Sequence, residues 1–128
     1  MLKILVVEDD LQLRTVIRLV IERANYEVIE AADGWAAISI MNVELPDLVL
    51  VDLKLPLMSG LELIDRIKST PDAASLPIVI LTGNRDAAAG LKHQHPVVLK
   101  PFEPDYLLRA LQVALNASGR QTQRPDDC

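Results

Sequence analysis

Short, almost wholly apolar runs alternate along this chain with segments of helical periodicity, and this alternation restricts the fold more than any other feature. Lys3–Val7 and residues 48–51 and 78–81 are aliphatic and rich in branched side chains, which is typical of strands buried on both faces. Glu27–Ala31 and Val97–Leu99 are weaker strand candidates. Five strands alternating with helices predict an α/β fold, a doubly wound five-stranded parallel sheet with helices on both faces.

Apolar residues recur at the spacing of one helical face between and after these strands. Helices are predicted over residues 11–24, from residue 34, from a capping box at Ser59 to about residue 69, over residues 85–92 and from Pro104 onward. The fourth segment is brief, so we expect a short or atypical fourth helix. Residues 118–128 are polar and aperiodic, which predicts a domain over residues 1–117 and a flexible C-terminal tail over 118–128.

Composition removes several functional classes. The 128 residues suit one domain, and a net charge of −5 argues against direct nucleic-acid binding through phosphate electrostatics. Four aromatic residues are too few for a base-stacking platform, and the single Cys128 excludes an intramolecular disulfide. No apolar run reaches membrane-spanning length, and Met1 leads directly into the first strand-like run, so we expect no leader peptide. We therefore expect a cytoplasmic monomer or weak dimer that does not bind membranes.

Polar side chains follow four of the five predicted strands. Glu8 and Asp9 follow the first strand, Asp52 the third, Thr82 the fourth and Lys100 the fifth. Because ligands of such sheets bind at the carboxyl ends of the strands, we expect these side chains to converge. Clustered carboxylates without cysteine or histidine ligands favour a hard cation, Mg²⁺ before Zn²⁺. A lysine and a hydroxyl beside that cation suit phosphoryl transfer, with a carboxylate as the nucleophile.

Each of these residues taken alone also has an ordinary structural explanation. A carboxylate after a strand often caps the next helix, which is our interpretation of Asp10. Threonine is a common strand residue, and a lysine before proline is usually a solvated loop residue. Phe102 and Tyr106 are expected to anchor the last helix rather than to bind a ligand. Only the convergence of the polar residues on one edge favours a site.

Taken together, these residues resemble the receiver domain of two-component response regulators. The resemblance rests on the acidic residues after Ile4-Leu5-Val6-Val7, the run DLKLPLMSG over residues 52–60, the strand that ends in Thr82, and Lys100-Pro101-Phe102. It covers about residues 2–117, with the motifs in the family's order. The resemblance implies a flavodoxin-like strand order of 2-1-3-4-5 and a role in phosphorelay signal transduction.

The resemblance also implies a role for each residue of the site. Asp52 would accept a phosphoryl group from the phosphohistidine of a sensor kinase or a histidine phosphotransfer protein, forming an aspartyl phosphate. Glu8, Asp9 and Asp52, with the backbone carbonyl of Lys54, would hold Mg²⁺. Thr82 and Lys100 would bind the phosphoryl oxygens. Such a domain is not a turnover enzyme, since it catalyses only its own phosphorylation and dephosphorylation.

Two other functions are also compatible with the sequence. The family's usual switch aromatic lies three residues before the lysine, and that position holds Val97. The chain could therefore be a constitutive protein-interaction module that has lost phospho-dependent switching. A Mg²⁺-dependent phosphohydrolase is the less favoured alternative, because the second acid usual two positions after its nucleophile is replaced by Lys54. In the leading interpretation, phosphorylation changes the affinity of the face formed by the fourth helix, fifth strand and fifth helix for an unknown downstream protein.

Overall fold

A single sheet of parallel strands organises the computed structural model, which describes residues 1–120. Its strands are β1 (Lys3–Val7), β2 (Glu27–Ala31), β3 (Leu48–Asp52), β4 (Ile78–Thr82) and β5 (Val97–Leu99). Their order across the sheet is β2-β1-β3-β4-β5, which confirms the predicted fold class and strand order. Residues 121–128 of the predicted tail, including Cys128, lie outside the described residues.

Five helices connect and follow the strands. They are α1 (Leu11–Arg23), α2 (Gly34–Val43), α3 (Gly60–Ser69), α4 (Arg85–Leu91) and α5 (Pro104–Ala117). The side chain of Asp10 caps α1 by accepting from the backbone N–H groups of Gln12 and Leu13, and Ser59 caps α3 by accepting from that of Glu62. At seven residues, α4 is the short fourth helix that the sequence predicts.

Apolar side chains cover both faces of the sheet. Val6 and Leu50 pack on one face with residues of α1 and α5, whereas Leu5 and Val49 pack on the other with residues of α2 and α3. All residues of β3 and β4 are buried, which explains their uninterrupted apolar runs. Phe102 packs against the apolar side chains on the face covered by α1 and α5. The prediction that Tyr106 anchors α5 is wrong, because 57% of this residue is exposed.

The carboxyl ends of the parallel strands bring the chain's buried polar residues to one edge. Among residues 1–120, the buried polar residues are Glu8, Asp52 and Thr82. Val7 pairs with Val51, so Glu8 and Asp52 follow at neighbouring strand ends. None of the helices within the described range is both long enough and apolar enough to cross a membrane.

The loop between β3 and α3 contains a leucine in an unfavourable backbone conformation. Leu57 has a φ of 70° and is 81% exposed. In this left-handed region the Cβ atom of an L-residue lies too close to the following carbonyl oxygen, and asparagine tolerates the conformation better than leucine does. The loop therefore carries local strain that no burial of the Leu57 side chain offsets.

We expect Leu57→Asn to raise the free energy of unfolding by about 1 kcal/mol, because asparagine relieves the strain of the left-handed conformation. Urea denaturation followed by circular dichroism measures the change. The matched control is Leu61→Asn, which replaces a leucine that is 49% exposed within α3. Asparagine is a poorer helix former than leucine, so the control should not gain stability. Equal changes in both variants would contradict the strain at Leu57.

Candidate functional site

Three carboxylates meet where β1 and β3 end. Glu8, Asp9 and Asp52 each place one carboxylate oxygen within 4.8 Å of the others. Glu8 is 1% exposed and Asp52 2% exposed, while Asp9 is open to solvent. Two buried carboxylates this close repel each other unless a proton or a cation compensates them. The cluster therefore favours a positively charged occupant.

Lys100 reaches the carboxylate cluster from the end of β5, which is separated from β3 by β4. Its Nζ donates to Asp52 Oδ2 at 2.5 Å and to Glu8 Oε1 at 3.2 Å. The lysine follows β5, and its backbone N–H donates to the carbonyl of Thr82 at 2.8 Å, which fastens this segment to the end of β4. The structure thus brings together Glu8, Asp9, Asp52 and Lys100, as the sequence predicts.

The pKa of Glu8 is raised to about 7 from its ordinary value, first by burial and then by the adjacent carboxyl group of Asp52. Burial alone would lower the pKa of Lys100, but the hydrogen bond to Asp52 and the charges of Asp52 and Glu8 outweigh it and raise that pKa. Lys100 is therefore charged at neutral pH. The single ammonium group of Lys100 cannot neutralise three carboxylates, so the site carries a net negative charge when all three carboxyl groups are ionised.

An open cleft of about 590 Å³ adjoins Asp52. Thr82 lines it and is 4% exposed, with its Oγ1 accepting a hydrogen bond from the Asn84 backbone N–H at 3.1 Å. The cleft lies between the ends of β3, β4 and β5 and the start of α4. Its lining residues are Asp52, Leu53, Lys54, Thr82, Gly83, Asn84, Ala87 and Lys100.

Sequence reasoning missed Asn84 as a residue of the site. Its side chain caps α4 by accepting from the backbone N–H groups of Asp86 and Ala87, and the residue also lines the cleft. The available signal was an asparagine two residues after a strand and directly before a helical segment.

The backbone after Asp52 helps to orient its carboxyl group. The Lys54 N–H donates to Asp52 Oδ1 at 3.0 Å, and the Gly60 N–H donates to the Leu53 carbonyl at 2.9 Å. Lys54 itself is exposed to solvent. Metal ligation by the Lys54 carbonyl remains a prediction.

The donor set of this edge fits Mg²⁺. The three candidate side chains offer only carboxylate oxygens as ligands, and two of these side chains belong to buried residues. Hard divalent cations prefer oxygen ligands of this kind. Mg²⁺ also retains several waters, which the exposed Asp9 side of the cluster can accommodate. The residues present therefore match the ion that the sequence predicts.

Comparison with known proteins decides the family. The model described as "Response regulator receiver domain" matches residues 4–112. The chain belongs to this family. The receiver domain is 35% identical over 120 residues to the phosphate regulon transcriptional regulatory protein PhoB of Pseudomonas aeruginosa, covering 91% of the chain and 52% of PhoB. It is 32% identical over 112 residues to sporulation initiation phosphotransferase F of Bacillus subtilis, covering 86% of the chain and 90% of that protein.

A solved structure with similar architecture is the receiver domain of the Pseudomonas aeruginosa sensor histidine kinase PA1611, which has a magnesium ion coordinated in its active-site cleft. It matches with a TM-score of 0.82 and 28% identity, over 90% of this chain and 98% of that one. The receiver domain spans about half the length of regulators such as PhoB. These matches to response regulators do not support the constitutive module or the phosphohydrolase.

Proposed function

We propose that this receiver domain accepts a phosphoryl group on Asp52 from the phosphohistidine of a sensor histidine kinase or a histidine phosphotransfer protein. The proposal rests on one observation above the others. The buried Asp52 carboxylate shares a three-carboxylate cluster with Glu8 and Asp9 and is paired with Lys100 at 2.5 Å. Such a group is held in place, charged neighbours surround it, and an open cleft gives a donor access to it.

In the transfer step, an oxygen of the Asp52 carboxylate forms a bond to phosphorus while the phosphorus–nitrogen bond of the phosphohistidine breaks. The imidazole nitrogen keeps the electron pair of the broken bond. The backbone N–H of Lys54 orients the carboxylate, so little reorganisation is needed before the attack. The product is an acyl phosphate on Asp52, the same intermediate type that carboxylate nucleophiles form elsewhere.

The phosphoryl oxygens bring negative charge into an acidic site, and this charge must be offset. Lys100 and the hydroxyl of Thr82 line the same cleft and would bind those oxygens. Glu8, Asp9, Asp52 and the carbonyl of Lys54 would hold Mg²⁺, which neutralises charge on the transferring group when bound. The chain's own contribution is to position these groups beside one nucleophile.

The output of the domain would pass through a downstream protein. We assign that contact to the face formed by α4, β5 and α5, where Val97 adjoins the exposed residues Tyr106 and Val113 in a groove of about 300 Å³. Phosphorylation would change the affinity of this face by shifting populations between two states. The proposal also covers self-catalysed dephosphorylation and a cytoplasmic location.

Phosphorylation by a small acyl phosphate tests the proposal without a kinase. Incubation with acetyl phosphate and Mg²⁺ should add the mass of one phosphoryl group, and Asp52→Asn should abolish this gain completely. Asp65→Asn is the matched control, because it removes an exposed acid on α3 and should leave the gain unchanged. An intact chain that takes up neither the phosphoryl group nor beryllofluoride would overturn the proposal.

A further inference from the structure

The guanidinium group of Arg14 joins β2 to the Glu8–Asp9 segment that follows β1. Its Nη1 donates to the backbone carbonyl of Glu8 at 2.8 Å, and its Nε donates to Glu30 Oε1 at 2.9 Å. The Arg14 side chain is only 14% exposed and that of Glu30 is 33% exposed, so the bond to the Glu8 carbonyl is the more shielded of the two. An exposed ion pair contributes little, but a shielded arginine that also binds a backbone carbonyl holds two segments together.

The Glu8 carbonyl occupies a sensitive position. It belongs to the peptide that joins Glu8 to Asp9, and it lies beyond the last residue of β1. The N–H of Glu8 donates to the Ala31 carbonyl at 3.0 Å, and the Asp10 N–H donates to Glu8 Oε2 at 3.1 Å. Arg14 supplies a further fixed contact, and it acts on the peptide plane that orients both carboxylates.

Charge alone would make an arginine a poor neighbour for a cation site. Glu30 offsets the charge of Arg14 within hydrogen-bond distance. Arg18 contacts the other oxygen of Glu30 at 3.4 Å and Glu22 at 3.1 Å, so the group as a whole carries no net charge. Arg14 therefore donates a strong hydrogen bond to the Glu8 carbonyl without a net repulsion of Mg²⁺.

We propose that Arg14 is a positioning residue for the Mg²⁺ site. It holds the Glu8–Asp9 peptide in the orientation that keeps both carboxylates in the cluster, while Glu30 cancels its charge. This inference rests on the proposed function for the identity of the ion. Removal of a group that is hydrogen-bonded to a metal ligand and orients it commonly lowers metal affinity by about 10- to 100-fold.

Calorimetric titration of the metal-free chain with Mg²⁺ alone provides the readout. Arg14→Met keeps an unbranched side chain and removes the donors, and we expect it to raise the dissociation constant about 10-fold or more. Electrostatics predicts the opposite sign, since removing a positive charge beside an anionic site tightens cation binding. Weaker binding therefore identifies positioning, and binding that is unchanged or tighter overturns the proposal.

Two further variants separate geometry from charge. Arg18→Met removes an arginine that contacts Glu30 but not the Glu8 carbonyl, and we expect it to leave the affinity unchanged. Glu30→Gln leaves the charge of Arg14 uncompensated and should weaken Mg²⁺ binding. This loss of affinity should become smaller at high salt, whereas the loss in Arg14→Met should persist. An Arg18→Met loss as large as that of Arg14→Met would overturn the proposal.

Folding and function are controlled separately. Circular dichroism checks each variant, and Arg14→Lys replaces Arg14→Met if the latter unfolds. Lysine keeps the charge but lacks the planar fork, so its Mg²⁺ affinity should still fall. Acetyl phosphate at saturating Mg²⁺ should phosphorylate a folded Arg14 variant. Failure of the unmodified chain to be phosphorylated contradicts the proposed function, whereas unchanged Mg²⁺ affinity in the Arg14 variants contradicts only the positioning role.

Discussion

Replacing Gly60 by alanine is expected to lower the free energy of unfolding by about 3 kcal/mol. A Cβ atom on Gly60 would lie 2.6 Å from the Cα of Leu53 and would overlap the backbone carbonyl of Asp52. These are backbone atoms, so no rotamer change can make room for the methyl group. Either α3 or the end of β3 must move, and movement of the strand end shifts Asp52, the proposed nucleophile.

Urea denaturation at neutral pH measures this loss, and Gly90→Ala is the matched control. A Cβ atom on Gly90 meets nothing within 4 Å, and the residue lies within α4. Alanine is the better helix former, so the control should gain about 0.5–1 kcal/mol. Similar effects in the two variants would show that the approach of Gly60 to the strand is less close than described.

Without metal, the chain is expected to become less stable as the pH rises from about 4.5 to 7. The pKa of Glu8 is about 7 in the folded chain, against 4.5 for the unperturbed group. Between these values the folded state keeps a proton that the unfolded state releases, so each rise in pH favours unfolding. The difference corresponds to about 3 kcal/mol, fully lost once the pH exceeds the folded pKa.

Glu8→Gln isolates this contribution, because glutamine cannot ionise. Urea denaturation at pH 5 and pH 8 should show a much smaller fall in stability for this variant than for the unmodified chain. Glu22→Gln, at an exposed position of α1, should retain the full fall. Identical pH dependence in all three proteins would contradict the raised pKa.

Mg²⁺ is expected to act on the same group. Because a proton and the cation compete for the Glu8 carboxylate, Mg²⁺ affinity should increase as the pH rises through 7. Mg²⁺ at saturation should also remove most of the stability loss above that pH, since it binds the folded state preferentially. Calorimetric titration between pH 6 and pH 8 measures the first effect, and a flat profile would contradict it.

Much of the site could be predicted because its residues directly follow apolar strands. The run before Asp52 identifies a buried strand, and parallel pairing then carries the aspartate to the same edge as Glu8. The double contact of Lys100 with Glu8 and Asp52 could not be predicted in this way. It depends on β5 lying two strands from β3, so that the side chain must cross the end of β4.

Arg14 and Tyr106 show a different limit. On a helical wheel, Arg14 occupies the polar side of α1 and looks like any solvated arginine, and only the fold brings Glu30 and the Glu8 carbonyl to it. Tyr106 lies in the first turn of α5, and its aromatic ring predicts an anchor for the helix, yet the buried side of α5 is formed by residues such as Leu107 and Leu111. Aromatic character alone does not reveal which side of a helix is covered.

The contact between Lys100 and Glu8 joins residues that are 92 positions apart in the chain. A growing polypeptide has its three carboxylates long before β5 has been synthesised and has paired with β4. Until then, the acidic residues lack the ammonium group that completes their surroundings. The proposed phosphoryl transfer therefore requires the chain to be synthesised at least as far as Lys100 and β5 to have paired with β4.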